Sequence, residues 1–226
     1  MINKIKNMLT PYDLGLTKIR LGPKQDGGYV VYKEPLEKTK LVYSLGIGWV
    51  SQTEYDLCLL GKKVKMYDCD PYNGLWHENM EFKQIFVDSK FFNSELDLIE
   101  DNDLMLCMDI EGSEYELLSN IKNENLLKFS QINFELHYLW TNPNKELFNI
   151  LEKLNKNYVL FHIHGNNCGP EKEGLPDVVE LSFLRKDMCK QITKENINYP
   201  ILGLDFSNDP HDRNKPDYIL NWWLHE

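Results

Sequence analysis

The sequence predicts an α/β protein with a mostly parallel sheet, and three observations carry that reading. From Lys40 onward, short apolar runs alternate with longer segments of helical period, the rhythm of strands joined by crossover helices. The residues just after those runs are unusually polar, and in open parallel sheets this is where a ligand sits. Late in the chain two strand-like runs follow each other with no helix between them, which predicts an antiparallel hairpin at the sheet edge.

Taken in order, residues 1–39 read as an N-terminal extension packed on the core, with a strand-like patch at Gly28–Lys33 after the turn signal Gln25-Asp26-Gly27-Gly28. The core spans 40–186. Leu41–Leu45 reads as a buried strand and Ser51–Leu60 as a helix, with Tyr55, Cys58 and Leu59 on one face and Gly61 as its stop. Val64–Tyr67 and Gln84–Val87 are strands, followed by a helix over Ser94–Ile99. Leu104–Met108 is a wholly apolar strand, and Ser113–Ile121 a helix with Tyr115, Leu117, Leu118 and Ile121 as its stripe. Gln131–His137 is a strand, Asn144–Leu154 a helix opened by Asn142-Pro143, and Tyr158–His164 and Val178–Leu184 are the final strands. Residues 187–226 form a tail that packs back on the core, ending in Trp222-Trp223.

The 226 residues are enough for a sizeable core, with 42% apolar residues. A balance of 25 Lys+Arg against 35 Asp+Glu, net −10, argues against nucleic acid, whose binding rests on neutralising phosphates. Five scattered cysteines without a Cys-x-x-Cys suggest neither a disulfide framework nor a zinc knuckle. With no apolar run long enough for a membrane span and no secretory h-region in Met1–Leu9, the expected location is cytoplasmic, without membrane insertion.

The strand ends supply the candidate site. Gly46-Ile47-Gly48 after the first strand permits close backbone approach to a ligand, but Ser51 stands where a dinucleotide fingerprint wants its third Gly. A nucleoside without a pyrophosphate fits better. Asp68, 22 positions after Gly46, stands near the offset at which a carboxylate takes ribose hydroxyls, or else Asp68 and Asp70 only open a turn before Pro71. Asp88-Ser89 offers a carboxylate and a hydroxyl to a base, or a helix cap. Asp109 and Glu111 at the mouth of a buried strand are costly to desolvate unless a cation, a donor or a proton offsets them. Glu135 and His137 share one side of their strand, as do His162 and His164 of the next, ahead of Asn166. An acid–base or metal role is expected for at least one of these three histidines, whereas His77, His211 and His225 read as structural.

Leu45-Gly46-Ile47-Gly48, Tyr67-Asp68, Met108-Asp109-Ile110-Glu111-Gly112-Ser113-Glu114 and Asn133-Phe134-Glu135-Leu136-His137 together resemble the FkbM-type branch of the class I S-adenosylmethionine-dependent methyltransferases. Arg20-Leu21-Gly22-Pro23, Asp26-Gly27-Gly28-Tyr29 and the segment 160–167 are similar to a subgroup of that branch, so the resemblance spans roughly residues 18–186. It implies a Rossmann-like class I methyltransferase fold, a mostly parallel seven-stranded sheet with helices on both faces. It further implies that Gly46 and Gly48 face the methionine part of S-adenosylmethionine, Asp68 the ribose, and Asp88 with Ser89 the adenine. Tyr29 joins this cofactor set, and Asp109 borders both cofactor and acceptor. Asp109 and Glu135 match the positions that hold Mg²⁺ in metal-using relatives, but His137 stands near where a further oxygen ligand is common, leaving Mg²⁺, Mn²⁺ or no metal open.

The activity expected is O-methylation of a sugar or saccharide precursor, as in surface glycan biosynthesis. His137 or His164 would be the base, Asp109, Glu111 and Glu135 would orient the acceptor or hold a cation, and Asn166 would be a hydrogen-bonding partner. The Lys-, Asn- and Ile-rich composition fits an AT-rich bacterial genome. N-methylation of a small molecule or protein side chain, and a non-catalytic nucleoside-binding domain, are the alternatives. The expected partner is the small-molecule or saccharide acceptor, with a homo-oligomer allowed.

Overall fold

The computed structural model describes residues 1–141, 145–209, 211 and 215–224. The expected helix opening at Asn142-Pro143-Asn144, and His225, lie outside the described residues. The central sheet contains β1 (Leu41–Leu45), β2 (Lys63–Asp68), β3 (Met80–Gln84), β4 (Leu104–Met108), β5 (Phe129–Leu136), β6 (Tyr158–Gly165) and β7 (Val179–Arg185). Their order is β3-β2-β1-β4-β5-β7-β6, with β7 antiparallel to both β5 and β6. This is the doubly wound order 3-2-1-4-5-6 with one reversed strand inserted. The expected hairpin is present, but β7 lies inside the sheet and β6 forms its edge. No described helix is long and apolar enough to cross a membrane.

Alternation along the strands explains the two layers. In β4, Leu104, Leu106 and Met108 join a large apolar cluster on one face, while Met105 and Cys107 join a second cluster on the other. A strand covered on both sides can be apolar throughout, which is why this run stood out in the sequence. The first face is covered by α1 (Ile2–Met8), α4 (Ser89–Asp97), α5 (Glu114–Asn120) and α6 (Leu147–Asn157), whose buried residues 147, 150, 151 and 154 follow the helical period. The second face is covered by α2 (Lys33–Lys38), α3 (Gln52–Leu59) and an N-terminal hairpin pairing Lys18–Leu21 with Tyr29–Tyr32.

Three expected elements differ, the first being the helix expected over Ser94–Ile99, which opens earlier as α4 over Ser89–Asp97. The buried residues of α3 are Thr53, Glu54, Leu57 and Cys58, whereas Leu59 is exposed. The ladder residues of β3 precede the expected run: Met80–Gln84 pairs with β2, and Ile85-Phe86-Val87 continues beyond the ladder. The apolarity of 85–87 reflects the cavity it lines rather than strand pairing.

Side chains attach the flanking segments to the sheet. Buried Gln131 of β5 accepts from Tyr32 N at 2.7 Å and donates to Tyr32 O at 3.1 Å, so its amide stands in for a neighbouring strand. The Ser182 hydroxyl donates to Val30 O at 2.7 Å. The tail is tied by His162 to Asp205 at 2.7 Å and by His164, whose ring lies between Glu180 (3.3 Å) and Asp217 (3.2 Å). Trp223 is buried against Tyr199.

Replacing Gln131 with Met keeps the volume but leaves both Tyr32 backbone groups unpaired, and should cost about 2–4 kcal/mol of stability in urea unfolding. Burial alone would lower the His164 pKa, but Glu180 and Asp217 raise it from 6.5 to about 10. The stabilisation from this raised pKa is fully present below pH 6.5 and is lost as pH rises through about 10. The thermal midpoint should therefore fall between neutral and alkaline pH, and a flat midpoint across that window would remove the imidazolium from the account.

Candidate active site

The carboxyl ends of β1, β2 and β4 enclose a cavity of about 460 Å³, within the range of small-molecule sites. Its floor depends on a turn that only glycine allows. Gly46 has φ +74°, and a Cβ there would stand 1.6 Å from the Asp109 carbonyl oxygen, so β1 and β4 close together only without a side chain at 46. The Asp68 carboxylate then accepts from Ile47 N at 2.7 Å, Gly48 N at 3.1 Å and Asp70 N at 2.9 Å. Burial pushes this carboxyl up, but the three backbone donors outweigh it and hold the pKa below the ordinary value. With about four lone-pair sites on a carboxylate, Asp68 keeps roughly one for a ligand hydroxyl. Trp49, Ile85, Phe86 and Val87 add apolar and aromatic wall, and Asp26, Asp109 and Glu111 a polar one. These residues fit a nucleoside-type cofactor: a glycine turn for close approach, a fixed carboxylate, and a flat apolar slot.

The structure brings Gly46, Gly48, Asp68, Asp109 and Glu111 to this cavity. It does not bring Asp88 or Ser89 there. Asp88 caps α4, accepting from Phe91 N at 2.7 Å, and the Ser89 hydroxyl donates to Glu116 at 2.6 Å. Because β3 ends at Gln84, the positions expected at its mouth fall into the first turn of α4. Tyr29 is buried in the N-terminal hairpin and does not line the cavity, although burial and the field of Asp109, Cys107, Glu135 and Glu180 hold its phenol well above the usual range.

Beside the cavity, His137 is buried among carboxylates. Its Nε2 lies 3.4 Å from Glu111 and 3.8 Å from both Asp109 and Glu135, and its Nδ1 lies 3.3 Å from Glu114. Glu114 is wholly buried and accepts from Ile110 N (3.0 Å) and Gly112 N (2.9 Å), so it also shapes the loop that carries Asp109. Burial lowers the His137 pKa, but Glu114, Asp109 and Glu111 together raise it above the ordinary value. Burial raises Asp109 to about 7 against the pull of His137, and burial with Asp109 and Glu180 raises Glu135 well above its usual range. Asp109, Glu135 and His137 offer ligand atoms within 4.8 Å of one another, and among the described residues the buried Asp109 Oδ1 has no hydrogen-bond partner. Such a donor set fits a borderline transition ion such as Mn²⁺ better than Mg²⁺, and it equally fits an imidazolium held by acids.

Asn166 donates to Glu135. His164 is farther back, enclosed by Glu180 and Asp217. Sequence reasoning assigned no site role to Asp26, Glu114, Glu180 or Asn208. Asn208 donates to both Asp26 and Glu180 at 2.7 Å. A Glu in the inward register of the apolar run 178–184 was a readable signal, whereas nothing local marks Asn208 in the irregular tail.

The sequence profile of the methyltransferase FkbM domain matches residues 17–161. No curated protein matches the chain. Among solved structures, a Lactococcus lactis protein provisionally described as a hemolysin is similar at TM-score 0.45 and 10% identity, covering 68% of this chain and 88% of that one. A Listeria monocytogenes protein provisionally described as an S-adenosylmethionine-dependent methyltransferase has TM-score 0.40 and 12% identity over 68% of this chain and 97% of that one. The TehB-like S-adenosylmethionine-dependent methyltransferase of Corynebacterium glutamicum has TM-score 0.38 and 13% identity over 67% and 88%. These likenesses are loose, and nothing about the site rests on them. The profile match covers well over half of the chain and contains the Gly46 turn, Asp68, Asp109 and His137, and by it the chain belongs to the FkbM methyltransferase domain family.

Proposed function

We propose that this methyltransferase uses S-adenosylmethionine to methylate a hydroxyl of a sugar or saccharide precursor in surface glycan assembly, with His137 as general base. The observation that carries this reading is the buried imidazole with Nε2 at 3.4–3.8 Å from Glu111, Asp109 and Glu135, two of which line the cavity.

When bound, S-adenosylmethionine supplies a methyl group already made electrophilic by its sulfonium. Gly46 and Gly48 let the backbone approach it closely, and Asp68 takes a ribose hydroxyl with its remaining lone pair. Ile85, Phe86 and Val87, rather than Asp88 and Ser89, form the surface against the base. On the acceptor side, Asp109 and Glu135 orient hydroxyls, Asn166 fixes Glu135, and His137 Nε2 takes the proton of the attacking oxygen. His164 suits this role less well, because its two carboxylate partners keep it protonated at neutral pH. N-methylation is the second reading, supported by the same carboxylates, which would hold an ammonium. A panel of sugar and amine acceptors assayed by S-adenosylhomocysteine release separates the two.

Titration calorimetry with S-adenosylhomocysteine should show micromolar binding, weakened about tenfold or more by Asp68→Ala through loss of a charge-assisted hydrogen bond. No binding by the folded wild type would overturn the cofactor assignment. His137→Gln should lower kcat by about 10²–10⁴-fold with cofactor affinity retained. The base acts unprotonated, so kcat/KM should rise with pH through the His137 pKa. Glu111→Gln removes an exposed carboxylate that favours the imidazolium, and should move that limb to lower pH.

A further inference from the structure

Tyr138 follows His137 at the corner where the chain leaves β5, and its backbone has φ +59°. A bulky aromatic residue avoids that left-handed region, because its Cβ crowds a neighbouring carbonyl oxygen. The corner is nevertheless fixed from both sides. The Tyr115 hydroxyl donates to His137 O at 2.6 Å, Leu139 N donates to Asp177 O at 3.0 Å, and the buried Asp177 carboxylate accepts from Trp140 N at 2.8 Å and Thr141 N at 2.9 Å. Its surroundings thus over-determine a strained residue, and strain of this kind clusters at sites that hold a ligand.

What the corner aims is a ring. Against it stand Glu111 and Gly112 of the loop after β4, themselves at φ +54° and φ +101°. A Cβ on Gly112 would lie 2.9 Å from Tyr138 Cε2 and 3.3 Å from its Cδ2, so the loop that carries Asp109 and Glu111 goes without a side chain where the ring passes. The His137 and Tyr138 ring centroids are 5.9 Å apart, with the planes tilted by 47°. This packing does not enclose the tyrosine: it is 41% exposed, and among the described residues its hydroxyl has no hydrogen-bond partner. A tyrosine held for packing alone buries its ring and pairs its hydroxyl, whereas Tyr138 leaves ring surface and phenol open beside the imidazole.

We infer that Tyr138 is an acceptor-binding residue, its ring stacking on the C–H face of a pyranose while its hydroxyl reaches one of that sugar's oxygens. A pyranose has the matching character, an apolar face edged by hydroxyl groups, and tyrosine offers an apolar body with a polar tip. The neighbouring Asp109 and Glu111 accept from hydroxyls, so ring and acids divide the recognition of such a sugar between its face and its edge. The inference rests on the sugar O-methylation reading with His137 as base, and it names what holds the sugar ring against that base.

The test is methyl transfer by the full chain to methyl glycopyranosides of gluco, galacto, manno and 6-deoxy configuration, read as S-adenosylhomocysteine release, with S-adenosylhomocysteine affinity and thermal midpoint measured on every variant. Tyr138→Ala should raise KM for the preferred glycoside about tenfold or more, with the loss in kcat/KM carried by KM. Tyr138→Phe should keep KM within about threefold, because the stacking ring survives. Affinity for S-adenosylhomocysteine should stay within about twofold in both, since Tyr138 does not line the cofactor cavity. Tyr138→Asn tolerates the left-handed backbone, so it should share the raised KM while its thermal midpoint equals or exceeds that of the wild type, which separates a lost contact from lost folding. An unchanged KM in Tyr138→Ala overturns the inference and leaves the sugar reading standing, as does a KM change matched by equal losses of cofactor affinity and thermal midpoint. A wild-type chain that binds S-adenosylhomocysteine but methylates none of the glycosides overturns the sugar reading, and this inference with it.

Discussion

The contact between Gly46 and the Asp109 carbonyl sets the distance between β1 and β4, and the rest of the site is built around that distance. With any other residue at 46 the two strand ends would be forced apart by a side-chain carbon at 1.6 Å from an oxygen. Because they are not, Asp109 N can donate to Leu45 O at 2.8 Å and Gly46 N to Tyr67 O at 2.9 Å, and the three central strands end level. Asp68 then reaches across to Ile47 and Gly48 and converts a flexible glycine turn into a fixed one. A carboxylate held by backbone donors is thus a structural part of the turn.

The acid cluster around His137 is organised on a different principle. Its acids are offset by few positive groups, and the protein tolerates them by raising the Asp109 and Glu135 pKa values and by surrounding His137 with carboxylates. Such a cluster carries a desolvation cost that packing elsewhere has to offset, and the continuous apolar layers on both faces of β4 are where that offset is found.

Much of this was legible in the sequence, and the reasons differ by element. Leu104–Met108 was readable to the residue because a strand buried on both faces has no polar positions to blur its ends. Leu41–Leu45 was legible as well, although it carries the polar Ser44, whose hydroxyl is paired with buried Glu54. The run at 85–87 was misleading, since a cavity wall and a strand both select apolar side chains and periodicity cannot separate them over so few residues. Asp88 and Ser89 followed that misplacement. The convergence of Asp109, Glu111, Glu135 and His137 could be anticipated, because all four sit at strand ends whose direction is fixed by the parallel topology. Asp26, Glu180 and Asn208 could not: their meeting depends on a hairpin, a reversed strand and an irregular tail, none of which has a local pattern that reports its partner.

The described residues that line the cofactor cavity all fall between Asp26 and Ser113, whereas Glu135, His137, Asn166, Glu180 and Asn208 come from the second half of the chain. On the proposed methyl-transfer reading, donor recognition and acceptor recognition are therefore written in different stretches of the polypeptide, meeting chiefly at Asp109 and at the Asp26 turn. Change in the second half can retune the molecule that receives the methyl group without rewriting the half that holds its source. A family built on this plan can diversify its acceptors while its donor stays the same.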